Sequence, residues 1–218
     1  MPSPAPGPLA ALLCDMDGTL VDTERDWLAA VAARLGTRTD DPAVLPFAGL
    51  TLADGARMLA PHLPGLTEER AAELLGEDFS ARVAAGVTVQ PGALRLLEDA
   101  KALGVPVALV TASERPVADL VLDRLGRDRF AFSVAAGEAG RDKPHPDPYL
   151  RAARELGVSP GDCLAVEDTP TGAEAALAAG CRLLAVPTVP GIAAGPRTLL
   201  ASSLEHVDLA GLTSADAP

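Results

Sequence analysis

The chain has 218 residues, 48% of them apolar and only 3% aromatic, enough to bury a full core, which excludes intrinsic disorder. That length suits one generous domain or a domain with a modest insertion. Its formal net charge of -12 excludes nucleic acid and anionic lipid as principal partners, and it would repel a phosphorylated substrate too unless a cation stood at the site.

Residues 1–8 alternate prolines without a basic region, and the apolar run 9–14 is too short for a signal segment or a membrane span. The tail therefore reads as a frayed leader to a cytoplasmic protein. The run 9–14 does not alternate, which is how a strand buried on both faces reads. From about residue 23 to 89 no convincing buried strand follows. Helical patterns at 24–35, 52–60 and 68–83 are separated instead by Pro42, Pro46, Pro61, Pro64 and Gly65.

That block is too long for one crossover connection. Residues 22–89 are thus expected to form an inserted α-helical cap, with 1–21 and 90–218 as the core; helices packed on the sheet face are the other reading. After the Pro91-Gly92 turn, a helix pattern at 93–103 leads to a strand at 105–110. A second helix at 114–125 places Val117, Leu120, Val121 and Leu125 on one face. A strand at 130–135, a helix at 147–156, a strand at 163–166, a helix at 171–179 and a strand at 183–186 complete the series. Gly104, Gly126, Gly157 and Gly180 stand where helices end. Such alternation predicts an α/β fold, a doubly wound parallel sheet. Cys14, Cys163 and Cys181 are odd in number and lie in apolar runs without zinc-site spacing, so reduced buried thiols are expected.

In an open parallel sheet, ligands bind beyond the carboxyl ends of the strands. Asp15-Met16-Asp17-Gly18-Thr19 follows the first run, Thr111-Ala112-Ser113 the second, and Glu167-Asp168-Thr169 the strand at 163–166. Lys143-Pro144 stands in the loop after the third strand. Singly, each has a plain reading: a turn, a helix cap, a solvated acidic pair, a surface lysine. Together, in this order and at strand ends, they bring hydroxyls, carboxylates and one ammonium to a single edge.

These motifs resemble those of the haloacid dehalogenase superfamily of phosphohydrolases across nearly the whole chain. The match runs through Asp15-Met16-Asp17-Gly18-Thr19-Leu20-Val21-Asp22, Thr111-Ala112-Ser113, Lys143-Pro144-His145-Pro146-Asp147 and Val166-Glu167-Asp168-Thr169-Pro170-Thr171-Gly172. The helical insertion after the first motif is similar to that of the β-phosphoglucomutase and sugar-phosphatase subfamily. The resemblance implies a phosphatase with Asp15 as nucleophile, forming an aspartyl-phosphate, and with Mg2+ as cofactor. Asp15, the backbone carbonyl of Asp17 and the Asp168 side chain would hold the metal, and Glu167 would act through water. Asp17 would serve as general acid and then base. Thr111, with Ser113 and the amides around Asp17, Gly18 and Ala112, would hold the phosphate, and Lys143 would neutralise charge. Asp17 also separates this chain from the dehalogenases, which carry Tyr there, and from the phosphonatases, which carry Ala.

The mutase's gating histidine lies twelve residues after the nucleophile, where this chain has Trp27. Its cap arginine is absent as well, since Leu52 follows Gly49-Leu50-Thr51. Hydrolysis of a small phosphorylated metabolite is therefore expected, with a phosphomutase as the alternative. A non-catalytic binding protein should lack one of these site residues, and none is missing. Arg57 and Arg82 are the cap's candidates for the substrate's distal groups. His145 reads as structural, and His62 and His206 carry no ligand spacing. Nothing requires more than a monomer.

Overall fold

The computed structural model describes residues 9–213, so the leader expected at residues 1–8 lies outside the described residues. In chain order the elements are β1 (Ala11–Cys14), β2 (Val21–Asp22), α1 (Glu24–Leu35), α2 (Leu52–Leu59), α3 (Glu68–Ala85) and β3 (Thr88–Val89). They continue with α4 (Ala93–Ala102), β4 (Val107–Val110), α5 (Arg115–Leu125), β5 (Phe132–Val134), α6 (Asp147–Glu155) and β6 (Cys163–Glu167). Last come α7 (Pro170–Ala179), β7 (Arg182–Ala185), β8 (Thr198–Leu200) and α8 (Leu209–Thr213).

Six strands form one parallel sheet in the order β5-β4-β1-β6-β7-β8. Both faces are apolar, which is why the strands read as unbroken apolar runs. Leu12 and Cys14 of β1 enter one core layer with Leu96 and Leu97 of α4 and Val117 and Val121 of α5. Ala11 and Leu13 enter the other, with Tyr149 and Ala152 of α6 and Ala175 and Ala176 of α7. Small residues dominate this second layer, with Tyr149 its one wholly buried aromatic side chain among the described residues. Gly104, Gly126, Gly157 and Gly180 all take positive φ just past helix ends, as their positions predict.

The structure departs from the sequence expectation at three edges. The third strand is only Phe132–Val134, because residues Arg127–Arg129 close into a 3-10 turn that draws Phe130 out of the sheet. A sixth strand, β8, was not predicted. It is three residues long, leaves Leu200 half exposed, and follows a run rich in proline and glycine that hides its pattern. Thr88–Val89 is a strand after all. It pairs antiparallel with Val21–Asp22, a two-residue ladder too short to show in periodicity.

Helices α1 to α3 lie between β2 and β3 and form their own apolar cluster around Trp27, Val31, Phe47, Leu59 and Leu75. Trp27 is 5% exposed, and its indole N–H donates to Phe47 O at 2.8 Å. Its ring meets Phe79 edge-on at 5.9 Å. Trp27 therefore anchors this cluster. Thr51 and Thr67 cap α2 and α3 by accepting from the Asp54 and Arg70 amides, with acidic residues in each first turn.

Trp27 also decides the sign of a substitution that helix propensity would misjudge. Alanine is favoured over glycine inside a helix by about 1 kcal/mol. At Gly55 of α2, however, an added methyl would lie 2.5 Å from Trp27 Cζ2, whereas at Gly76 of α3 its nearest neighbour would be Leu52 Cδ2 at 3.4 Å. Gly55→Ala should destabilise by about 1–3 kcal/mol through overpacking. Gly76→Ala should stabilise by up to about 1 kcal/mol. Urea unfolding followed by emission of the chain's one tryptophan reads both, and a stabilised Gly55→Ala would disprove the packing described here.

Candidate active site

Strand β1 is central, with β4 on one side and β6 on the other, so the direction of winding reverses at its carboxyl end. Asp15 stands at that point, and its amide donates to Val166 O at 2.9 Å. The register pairs Cys14 with Leu109 and Val166, so the chains leaving β1, β4 and β6 emerge together. Residues some 150 positions apart thereby meet: Thr19 Oγ1 donates to Asp168 Oδ1 at 3.2 Å across a separation of 149.

Lys143 sits at the centre of the site. Its ammonium donates to Asp15 Oδ1 at 2.7 Å, Val110 O at 2.9 Å and Glu167 Oε1 at 2.6 Å. The Lys143, Asp15 and Glu167 side chains are 5%, 8% and 1% exposed, so this is a buried ion triad rather than a surface bridge. Burial alone would lower the lysine's pKa, but the charges of Asp15 and Glu167 outweigh it and hold the ammonium well above its ordinary value. The peptide joining Lys143 to Pro144 is cis.

Asp17 faces a different set of groups. Thr23 donates to its Oδ1 at 2.6 Å, and Thr111 and Ser113 donate to its Oδ2 at 2.9 and 2.8 Å. Thr111 Oγ1 in turn accepts from the Ser113 amide at 2.9 Å. Burial, then the charge of Asp15, raises the Asp17 pKa, and the three hydroxyls only partly oppose this. A proton is thus held more firmly at Asp17 than on an ordinary aspartate.

The remaining acids form a cluster. One carboxylate oxygen from each of Asp15, Glu167 and Asp168 lies within 4.8 Å of the others, and all three residues are buried. Asp168 accepts from Thr19 and Thr188. Glu167 Oε2 is buried without a hydrogen-bond partner. Its carboxylate rests against Gly172 in the first turn of α7, where an added methyl would come within 1.9 Å of it. Gly18 (φ +80°) gives the same clearance to Asp168, whose Oδ2 would lie 2.2 Å from a methyl there. Buried, all-oxygen and carrying an unsatisfied acceptor, this cluster fits a hard divalent cation such as Mg2+.

All the residues singled out in the sequence as site candidates at the strand ends converge here. Gly18 does so by yielding space, since its amide is committed to Val21 O at 2.8 Å. Ala112 lies between Thr111 and Ser113, directly after β4. The cap candidates fare differently. Arg57 is exposed and paired with Asp54 at 2.8 Å, and Arg82 is felt as a charge by Asp26. His145 is exposed. Sequence reasoning missed Thr23, Thr19, Thr188 and Tyr149, whose hydroxyls donate to the carboxylates gathered at this sheet edge, because hydroxyl residues are common at such positions and nothing in their spacing marks them. It also missed Glu24, which accepts from the Gly49 amide at 3.0 Å and whose pKa is raised by burial, with the Asp17 charge contributing. The three cysteines are free and buried, and burial raises their pKa values, so they are inert packing groups.

A pH dependence follows for the metal-free protein. Burial, then the Asp15 charge, pushes Glu167 up to about 8 and Asp168 up to about 7. Both values lie above those of the unfolded chain. The folded state therefore holds protons that the unfolded chain has lost, and stability falls as pH rises from the ordinary carboxylate range to about 8, levelling beyond it. In chelator, the thermal midpoint at about pH 8.5 should lie below that at about pH 5.5. A midpoint that rises across this window would contradict the electrostatics described.

Comparison with known proteins agrees with this geometry. The family model for haloacid dehalogenase-like hydrolases matches residues 9–180. Hexitol phosphatase A of Escherichia coli is 37% identical over 180 residues, covering 80% of this chain and 81% of its own. Phosphoglycolate phosphatase of Xylella fastidiosa is 34% identical over 175 residues, 78% of this chain and 76% of its own. Among solved structures, CbbY from Rhodobacter sphaeroides in complex with phosphate superposes with a TM-score of 0.77 at 28% identity, covering 91% of this chain and 96% of that one. The chain belongs to the haloacid dehalogenase-like hydrolases, the family of the named phosphatases it resembles.

Proposed function

We propose that the chain is a Mg2+-dependent phosphomonoester hydrolase acting on a small sugar phosphate or related metabolite through an aspartyl-phosphate on Asp15. The observation that carries this reading is the placement of Asp15. Lys143 lies on one side of it, at 2.7 Å, and the Glu167–Asp168 carboxylates lie within 4.8 Å. Relatives named hexitol phosphatase and phosphoglycolate phosphatase support the substrate class.

Asp15, Asp168 and the Asp17 carbonyl would hold the cation, with Glu167 acting through water. When bound, Mg2+ supplies positive charge that offsets the repulsion between a carboxylate and a phosphate dianion. In the first step an Asp15 carboxylate oxygen bonds to phosphorus as the phosphorus–ester oxygen bond breaks, and the leaving alkoxide takes the Asp17 proton. In the second step water attacks the same phosphorus and gives a proton to Asp17, and phosphate leaves as the Asp15 carboxylate is restored. The raised pKa of Asp17 suits the acid role. Lys143 stays charged throughout and orients Asp15. The Thr111 and Ser113 hydroxyls, turned from Asp17 toward bound substrate, and the Ala112 amide would supply donors to the phosphate oxygens, and Gly18 gives the loop its clearance.

Residues 22–89 would act as a cap over the site, excluding bulk water, with Glu24 and the hinge at β2 and β3 nearest to Asp17. Trp27 favours hydrolysis over phosphomutase chemistry. The residue at the mutase's gating position is here a 5% exposed core side chain with no titratable group. A phosphorylated metabolite, and neither nucleic acid nor membrane, is the partner that suits this site in an acidic protein, and nothing in the site calls for a second subunit. Among the described residues no helix is long and apolar enough to cross a membrane.

A phosphomonoester panel with Mg2+ should release phosphate, chelation should stop it, and Asp15→Asn should bind substrate yet release none. Turnover in that variant would remove Asp15 from the nucleophile's place. Asp17→Asn should slow release by roughly 10²–10⁴-fold, as the loss of a general acid does. β-Glucose 1-phosphate converted to its isomer, with a bisphosphate primer and without phosphate release, would favour the mutase instead.

A further inference from the structure

Tyr149 has no role in the chemistry above, yet it is the largest of the wholly buried side chains and touches the site twice. Its hydroxyl donates to Glu167 Oε1, the oxygen that also accepts Lys143 Nζ at 2.6 Å. Its ring lies beneath the same ammonium, with 5.3 Å from Nζ to the ring centre.

The donors of Lys143 are fully used, on Asp15, Val110 and Glu167. With Lys143 alone, one hydrogen bond would restrain the turn of the Glu167 carboxylate about its Cγ–Cδ bond. The Tyr149 hydroxyl, reaching the same oxygen from α6, adds a second restraint on that turn. Gly172 closes one side, where even a methyl would overlap both carboxylate oxygens, and Oε2 is left buried with no partner.

We propose that Tyr149 is a positioning residue for the cation site: its hydroxyl and Lys143 together lock Glu167, reserving Oε2 for the cation or its water beside Asp15 and Asp168. The inference rests on the phosphatase reading, because it takes this acidic cluster as the place where Mg2+ binds. A phenylalanine would keep the packing and the ring under Lys143 and lose only the donor.

Calorimetric titration with Mg2+ in the absence of substrate separates the two ideas. Tyr149→Phe should bind Mg2+ about 10-fold more weakly, as loss of a partner behind a metal ligand does. In turnover, the Mg2+ concentration at half-maximal rate should rise while KM for the phosphomonoester at saturating Mg2+ stays unchanged. In a Glu167→Gln background the tyrosine substitution should add little. Tyr149 is the one tyrosine of the chain, so the wild-type near-ultraviolet tyrosine band should also shift on adding Mg2+. A Phe variant that binds Mg2+ as tightly as a binding-competent wild type overturns the role of Tyr149 alone. A wild type that takes up no Mg2+ overturns the cation reading and this inference with it. If Tyr149→Phe does not fold, a tyrosine band unmoved by saturating Mg2+ overturns the proposal.

Discussion

The structure depends on one buried ammonium. Four carboxylates, those of Asp15, Asp17, Glu167 and Asp168, gather at the end of the sheet with Lys143 as the cation among them. Taking a charge out of water costs several kcal/mol even after relaxation, and a partner with well-made hydrogen bonds must offset it. Lys143 does so for Asp15 and Glu167 at distances of 2.7 and 2.6 Å. The others are met by hydroxyls, and since burial outweighs these partners and, at Glu167, Lys143 as well, Asp17, Asp168 and Glu167 all retain raised pKa values.

This imbalance gives the site its chemistry. A surplus of negative charge in a buried cluster suits a divalent cation, in a protein whose net charge of -12 would otherwise repel phosphate. Burial, with the Asp15 charge, raises the affinity of Asp17 for a proton. Glycine supplies the room: without Gly18 and Gly172 the loop after β1 and the first turn of α7 could not approach Asp168 and Glu167. The cluster around Trp27 packs α1 to α3 on one another, while Val83 and Phe79 of α3 also join the core layer that holds α4 and α5.

Much of this was legible in the chain. The short apolar runs gave the central strands because a strand covered on both faces has no polar residue to alternate with, and glycines marked the helix ends because only they take positive φ there readily. The Asp15, Thr111, Lys143 and Asp168 motifs were visible because each follows such a run. Edge pairing was not legible. β8 and the Val21–Val89 ladder are two or three residues long, held by backbone bonds that no side-chain pattern reports.

By itself the sequence determined the parallel sheet, the three helices between the first two core strands and the residues that follow the strand ends, because local periodicity and chain order govern these. Tertiary structure decided how those residues share their charges: which oxygen of Glu167 faces Lys143 and Tyr149 and which is left over, which hydroxyls hold Asp17, and that Trp27 packs in a core of its own helices. Those outcomes depend on distances of a few ångströms between segments brought together by strand register, and linear spacing carries no record of them.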